Sequence, residues 1–218
     1  MLIQRIYKTI LHLLFPPFCP FCRAFVATEE VIFCVHCAAK VEPIVSELVR
    51  IRESVHMPVF AVGNYQEPLR CLIMAKHWNN SLAATQMAQL MSRMPVMQLL
   101  EFDYIVPIPL HWTRYAWRGF NQSILIAQQL SALSGRPVVH AVKRKKRTAL
   151  QATLNLEKRG TNVADAFELS VDAAMVQGKR ILIVDDLMTT GATLRAVAKV
   201  IYRAKPAQLY GAVLCRVI

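Results

Sequence analysis

Two adjacent carboxylates, Asp185 and Asp186, end the apolar run Ile181-Leu182-Ile183-Val184, and Leu187-Met188-Thr189-Thr190-Gly191-Ala192-Thr193 follows them. A buried strand that finishes in acids and turns through small hydroxyl residues into a helix brings two chemistries together. The first N–H groups of a helix lack intrahelical partners and, with the helix dipole, attract a phosphate. Thr189, Thr190 and Thr193 add hydroxyl donors, and Gly191 lets the backbone come close to a ligand. The two aspartates repel a phosphate. They suit sugar hydroxyls and Mg²⁺, a hard cation that takes oxygen ligands. A phosphate cradle beside a clamp for a diol and a metal matches a phosphorylated ribose. Capping a helix requires one acidic residue, not this whole string. There is no G-x-x-x-x-G-K-[ST] loop for a nucleoside triphosphate and no G-x-G-x-x-G for a dinucleotide.

The second constellation is Cys19-Pro20-Phe21-Cys22 and, eleven residues on, Cys34-Val35-His36-Cys37. Two facing C-x-x-C turns offer four thiolates to one tetrahedral Zn²⁺ and aim backbone N–H groups at the sulfurs. One such pair alone also reads as a redox motif, whereas two so close together point to a metal. His36 is a spare ligand, but four cysteines are the simpler set. They leave no open coordination position, so the zinc is structural. The segment is too short for its own core, and the metal supplies its folding energy. Phe18, Phe21, Phe25 and Phe33 are expected to pack around the turns. Cys71 and Cys215 stand alone in apolar surroundings and read as small buried hydrophobes.

The elements that must position these groups alternate in type. Residues 58–62 read as a strand. Residues 81–94 read as a helix with Leu82, Met87, Leu90, Met91 and Met94 on its apolar side. A strand over 102–108 carries its prolines at its C-terminal end, and a helix over 121–133 closes at Ser134-Gly135. A helical stretch is expected over 157–164, the buried strand over 180–184, a helix over 192–204 and a last strand over 209–217. Strands alternating with helices make an α/β fold with a parallel sheet covered on both faces. Ligands of such sheets bind at the carboxyl ends of the strands, where Asp185 and Asp186 fall. The chain divides into an amphipathic helix (1–17), a four-cysteine module (18–57) and the α/β domain (58–218).

The chain has 218 residues, 55% of them hydrophobic, enough for a real core and incompatible with disorder. No apolar run reaches the roughly 18 residues of a membrane span. No small-residue cleavage site follows the basic and apolar N-terminus, so a cytoplasmic protein with reduced thiols is expected. Ile3, Ile6, Ile10 and Leu14 share one helical face. It either packs on the rest of the protein or lies on a membrane surface, which would hold the protein at the inner face of the membrane. Against 14 acidic residues stand 26 basic ones, a net charge of +12. That balance attracts polyanions: nucleic acid, phosphorylated metabolites or an anionic membrane.

The string from Val184 to Thr193 resembles the phosphoribosyl pyrophosphate (PRPP) motif of type I phosphoribosyltransferases. The resemblance implies that Asp185 and Asp186 hold the ribose hydroxyls and that Thr189, Thr190, Gly191, Ala192 and Thr193 hold the 5-phosphate. Further stretches narrow it to the ComF family. They are Pro107-Ile108-Pro109-Leu110-His111-Trp112-Thr113-Arg114, then Arg118-Gly119-Phe120-Asn121-Gln122, then Thr148-x-x-Gln151-x-x-Leu154 with Arg159 and Asn162, and Lys76. Together with the cysteine pairs the resemblance covers nearly the whole chain. It implies a zinc ribbon joined to a phosphoribosyltransferase-type, Rossmann-like domain that binds PRPP with Mg²⁺. The pyrophosphate would meet Pro107, Ile108, Pro109 and Leu110, with Arg114, Arg118 and Arg159 as its cations. Arg114 and Arg118 read alternatively as solvated residues or members of structural ion pairs.

Lys143-Arg144-Lys145-Lys146-Arg147 is a run of five cations, and residues 140–160 carry seven basic residues against one acid. Three readings stand: a solvated surface, a loop that closes over PRPP, and a groove for single-stranded DNA. In the last, Trp112, Tyr115, Trp117 and Phe120 would stack on bases. The family resemblance implies a competence protein that helps incoming single-stranded DNA during natural transformation, with DNA-uptake machinery or helicase proteins as partners. Two alternatives remain. One is an active phosphoribosyltransferase, displacing pyrophosphate through an oxocarbenium-like state with Mg²⁺ on the leaving group; no residue set specifies its acceptor. The other is a regulator that senses PRPP without turnover.

Overall fold

The computed structural model describes residues 16–28, 31–42, 44–75, 80–110, 120–145 and 166–217. The expected helix over 157–164 lies outside them, as does the one over 1–17 except for its last two residues. Chain order is α1 (Val35–Ala38), β1 (Ile44–Arg50), β2 (His56–Asn64), α2 (Leu69–Ala75), α3 (Asn80–Ser92), α4 (Pro95–Leu99), β3 (Tyr104–Pro107) and α5 (Gln122–Ser134). Then come β4 (Val142–Arg144), β5 (Phe167–Leu169), a 3₁₀ turn (Val171–Val176), β6 (Arg180–Met188), α6 (Ala192–Tyr202) and β7 (Gln208–Arg216).

The main sheet has the order β1-β2-β7-β6-β3. β2, β7, β6 and β3 are parallel, as expected, and β1 runs antiparallel along one edge. β6 is central. Its residues Ile181, Leu182, Ile183 and Val184 are fully buried, and they alternate between two cores, as the period of two in a strand requires. Ile181 and Ile183 join Leu194, Val197, Val200 and Ile201 of α6. Leu182 and Val184 join a core made with α2, α3 and α5. A continuous apolar strand is therefore what a sheet covered on both faces demands.

Several details differ from the sequence reading. β1 arises inside the stretch assigned to the cysteine module and adds a strand to the main sheet. Its alternation slips at a bulge between Ile44 and Glu47, which hides it from a pattern of period two. On α3 the buried stripe is Ala83, Ala84, Met87, Ala88 and Met91, while Leu82 is 54% exposed. The methionines are core, but the helix is rotated so that its alanines admit α5 closely. Residues 142–144 and 167–169 form a separate two-stranded sheet, and the connection between them, 146–165, lies outside the described residues. Gly135 closes α5 as expected, at φ +70°, whereas Asn121, read as the first helical residue, is its N-cap, the side chain accepting from Ser123 N. Among the described residues no helix is long and apolar enough to cross a membrane.

The cysteine module rests on the larger core. Cys19, Ile32, Phe33 and Cys37 share one cluster with Leu69, Leu72 and Ile73. Gly63 makes the approach possible, since a Cβ there would lie 2.9 Å from the Glu42 carbonyl oxygen and 2.8 Å from Leu69 Cδ1. Of the four phenylalanines only Phe33 is buried. Phe18 and Phe25 pair with each other, ring centroids 4.6 Å apart, at the surface. Cys215 is buried and Cys71 partly so, and burial pushes both thiols up to about 12. They are inert core groups.

At the end of the sheet away from the acidic pair, Arg180 ties β6 to the entry of β3. Its Nη2 lies 3.1 Å from Asp103 Oδ1, its backbone N–H donates to Asp103 Oδ2 at 2.8 Å, and Nη1 pairs with Glu101. Those Arg180 hydrogen bonds hold the Asp103 carboxyl below the usual carboxylate range. A carboxylate with a depressed folded pKa contributes stability that is complete above its unfolded value, about 3.9, and lost as pH falls through the folded one. Asp103→Asn should therefore melt below the parent protein at neutral pH, and the gap should close on acidification below about pH 4. Thermal melts of both proteins at stepped pH check this.

Candidate functional site

The four cysteines converge. All four Sγ atoms lie within 4.8 Å of one another, with Cys22 and Cys34 3.5 Å apart. Four Zn–S bonds of ~2.3 Å in a tetrahedron place sulfurs ~3.8 Å apart, so the set fits zinc. Burial opposes ionisation of Cys19, yet backbone N–H groups of Cys22, Cys34 and Phe21 outweigh it and hold the thiol down at about 6. Burial and the neighbouring sulfurs push Cys37 up to about 12. Four crowded sulfurs ionise together only around a cation. These residues hold a structural zinc.

The second site forms where β3 and β6 end beside the starts of α5 and α6. β6 continues through Asp185 and Asp186 to Met188, longer than expected. Ser123, in the first turn of α5, donates its hydroxyl to Asp185 Oδ1 at 2.7 Å, and the Asp186 backbone N–H donates to the same oxygen at 3.0 Å. Two donors on one oxygen set the direction of that carboxylate. Asn121 is 5% exposed and joins the same corner: its Oδ1 accepts from Ser123 N at 3.1 Å, and its Nδ2 donates to the Ile108 carbonyl at 3.0 Å. Ile108 N–H in turn donates to Val184 O at 3.0 Å, extending the β3–β6 ladder by one bond.

The turn after β6 reaches α6 through Gly191 at φ +68°. This conformation is a reason for the glycine that stands beside the expected close approach to a ligand. A Cβ there would meet only ordinary contacts at 3.6 Å, to Met188 Sδ and Val49 Cγ2. The left-handed φ selects glycine, not crowding. No side chain caps α6, so its first N–H groups are left to other partners. Thr189 and Thr190 are exposed in the turn, and Ala192 and Thr193 are half-buried in the first turn of the helix.

One cavity, about 240 Å³, joins the parts. Asp185, Asp186 and Thr193 line it from β6 and α6, Pro109 and Leu110 from the loop after β3, Asn121 and Ser123 from α5, and Arg144 from β4. Of the residues expected at a pyrophosphate, Ile108, Pro109 and Leu110 line the cavity, with Pro107 just behind at the end of β3. Arg114, Arg118 and Arg159 lie outside the described residues, as do Lys76, Lys146 and Arg147. The basic run is divided. Arg144 reaches the cavity, its guanidinium 5.1 Å from the Phe167 ring centroid. Lys143 pairs with Glu168 at 3.4 Å and is exposed, as is Lys145. Alternation along a strand accounts for the split.

Ser123 escaped the sequence reading. Its partner is 62 residues away, and its only local sign is a place two residues after a helix cap.

A family profile for a phosphoribosyl transferase domain matches residues 118–218, and one for a double zinc ribbon domain matches residues 10–49. Fold and site thus define a phosphoribosyltransferase-fold protein that carries a zinc ribbon. The DNA utilization protein YhgH of Escherichia coli O6:H1 is 32% identical over 211 residues, which span 92% of this chain and 84% of that one. Competence protein F of Haemophilus influenzae is 34% identical over 147 residues, 64% of each chain. Competence protein ComFC of Streptococcus pneumoniae is 31% identical over 104 residues, 48% of this chain and 43% of that one. The chain belongs to the ComF family. Among solved structures, an adenine phosphoribosyltransferase from Thermoanaerobacter pseudethanolicus matches 83% of this chain and 98% of its own, at 16% identity and a TM-score of 0.41.

Proposed function

We propose that this protein binds PRPP with Mg²⁺ at the acidic pair and acts in the cytoplasm on single-stranded DNA during DNA uptake. The observation that carries the first half is the single cavity shared by Asp185, Asp186, Thr193, Pro109, Leu110 and Arg144. In this reading the two carboxylates take the ribose hydroxyls and Mg²⁺. The α6 N-terminus takes the 5-phosphate through Thr189, Thr190, Gly191, Ala192 and Thr193. The loop 107–110 and Arg144, with Arg114, Arg118 and Arg159, take the pyrophosphate. Bound Mg²⁺ supplies charge neutralisation on the diphosphate. The second half is supported by the names of the relatives, one a DNA utilization protein and two competence proteins, and by the net charge of +12. It carries with it contacts to DNA-uptake or helicase proteins and a peripheral place at the inner membrane face.

Calorimetric titration of PRPP into the zinc-loaded protein tests the site. One PRPP per chain, bound only with Mg²⁺, is expected; a folded, zinc-loaded protein that takes up none removes the proposal. Pyrophosphate released in the same mixture with added bases or amines would mark a working transferase. A deletion strain that transforms normally would remove the role in uptake.

The Ser123 hydroxyl gives a finer test. A hydrogen bond to a charged group is worth ~1.5 kcal/mol, so Ser123→Ala should weaken PRPP binding about tenfold. Unchanged affinity would show that the bond is worth the same in the free and the bound protein.

A further inference from the structure

A second cavity, about 670 Å³, lies away from the acidic pair, between the turn that joins β1 to β2 and the outer side of α6. Five cations line it: Arg50 from the end of β1, Arg52 from the turn after it, and Arg195, Lys199 and Arg203 from the helix and its end. Glu53 is the one acidic residue in its wall, and the buried Ile51 forms the floor. All five cations are exposed. Among the described residues none of them is in an ion pair. Arg52 is steadied from below, its guanidinium 5.1 Å from the Tyr202 ring centroid.

This arrangement works against folding. Like charges four residues apart on a helix destabilise it. Cations suit the last turn of a helix, which accounts for Lys199 and Arg203. Arg195 sits in the first turn of α6, where the dipole disfavours a cation. An anion in the trough would relieve both penalties.

The shape selects the anion. Arg195, Lys199 and Arg203 recur every four residues, so they form a row with steps of ~6 Å along the helix. Arg50 and Arg52 face that row from the other wall. A row of this kind meets successive phosphates of an extended chain, whereas a lone phosphate needs two or three cations converging on one point. A membrane surface rewards apolar residues that project from the protein, and the apolar residue here, Ile51, is buried at the bottom of a concavity. Guanidinium groups add flat faces on which unpaired bases stack.

We infer that the trough between the β1–β2 turn and α6 binds the phosphodiester backbone of single-stranded nucleic acid. The assignment rests on the reading that this protein handles single-stranded DNA, and it moves the contact from the run at 143–147 to residues 50–52 and 195–203. One helix then serves both ligands, its N-terminus at the PRPP cavity and its flank in the trough.

The test is fluorescence anisotropy with a labelled oligothymidylate, using the full zinc-loaded chain between ~50 and ~200 mM salt. Arg195→Gln/Lys199→Gln should bind at least tenfold more weakly. Its plot of log K against log salt should flatten by about 1.4, two phosphate contacts at ~0.7 each. Arg93→Gln/Arg136→Gln, which removes two exposed cations elsewhere, should change neither quantity. Melting temperatures of the variants no lower than that of the parent exclude loss of folding as the cause. Oligonucleotide binding that survives in the trough variant, or is lost only in Lys143→Gln/Lys145→Gln, overturns the site and leaves DNA handling intact. No oligonucleotide binding by the parent protein overturns the underlying reading as well. Displacement of the oligonucleotide by polyglutamate or by anionic lipid vesicles, at equal charge, overturns the choice of nucleic acid.

Discussion

The double substitution Asp185→Asn/Asp186→Asn is expected to weaken PRPP binding by at least 100-fold while the protein stays folded. The amides keep the volume of the carboxylates and can still accept the Ser123 hydroxyl, which lies 2.7 Å from Asp185 Oδ1. What they lose is charge. Hydrogen bonds to a charged acceptor are worth ~1.5–3 kcal/mol each. Two such losses multiply to about 100-fold or more, before any loss of Mg²⁺ coordination is counted. Stability should not fall, because the parent holds two adjacent carboxylates at the end of a buried strand. Calorimetry with PRPP and Mg²⁺, paired with thermal melts, reads both effects. Affinity within threefold of the parent would place the ligand elsewhere and with it the reading of the cavity.

Removal of the zinc is expected to produce the largest change in stability. Structural zinc contributes ~10–16 kcal/mol in isolated zinc-finger peptides, comparable with the whole stability of a typical domain, ~5–15 kcal/mol. Cys19 and Cys37 are buried, and with Ile32 and Phe33 they belong to the cluster that holds Leu69 and Leu72. Unfolding of the module therefore strips one face of the main core. If only ~4 kcal/mol of the metal's contribution is lost, the melting temperature falls by ~10 °C for a chain of this size. Cys37→Ser or chelation should show that drop, with one zinc released per chain by a colorimetric metal assay. A protein that melts unchanged after its zinc is gone would mean that the module adds nothing to the core it rests on.

The four-cysteine cluster and the strand, turn and helix that carry the acidic pair are legible in the sequence for one reason: each is local in the chain. A C-x-x-C pair sets two sulfurs within one turn whatever surrounds it. The string from Val184 to Thr193 likewise carries its own strand end, turn and helix start. The buried strand at 180–184 was equally plain, because four consecutive apolar residues admit no exposed face. β1 is hidden by its bulge, and the apolar pattern alone places Leu82 on the wrong side of its helix, because it does not say which neighbour needs alanines for a close approach.

Other features were beyond any reading of the chain alone. Ser123 meets Asp185 only because α5 packs where its first turn faces the end of β6. Arg144 leaves its basic neighbours and enters the cavity because β4 pairs with β5 and its residues alternate. The trough needs residues 50–52 and 195–203 on opposing walls. Chain order determined the chemistry of the metal centre and of the acidic loop, since their geometry spans only a few bonds. Tertiary packing decided which distant groups complete them, since a contact such as that between Ser123 and Asp185, 62 residues apart, depends on strand order and helix rotation, which no short stretch of sequence encodes.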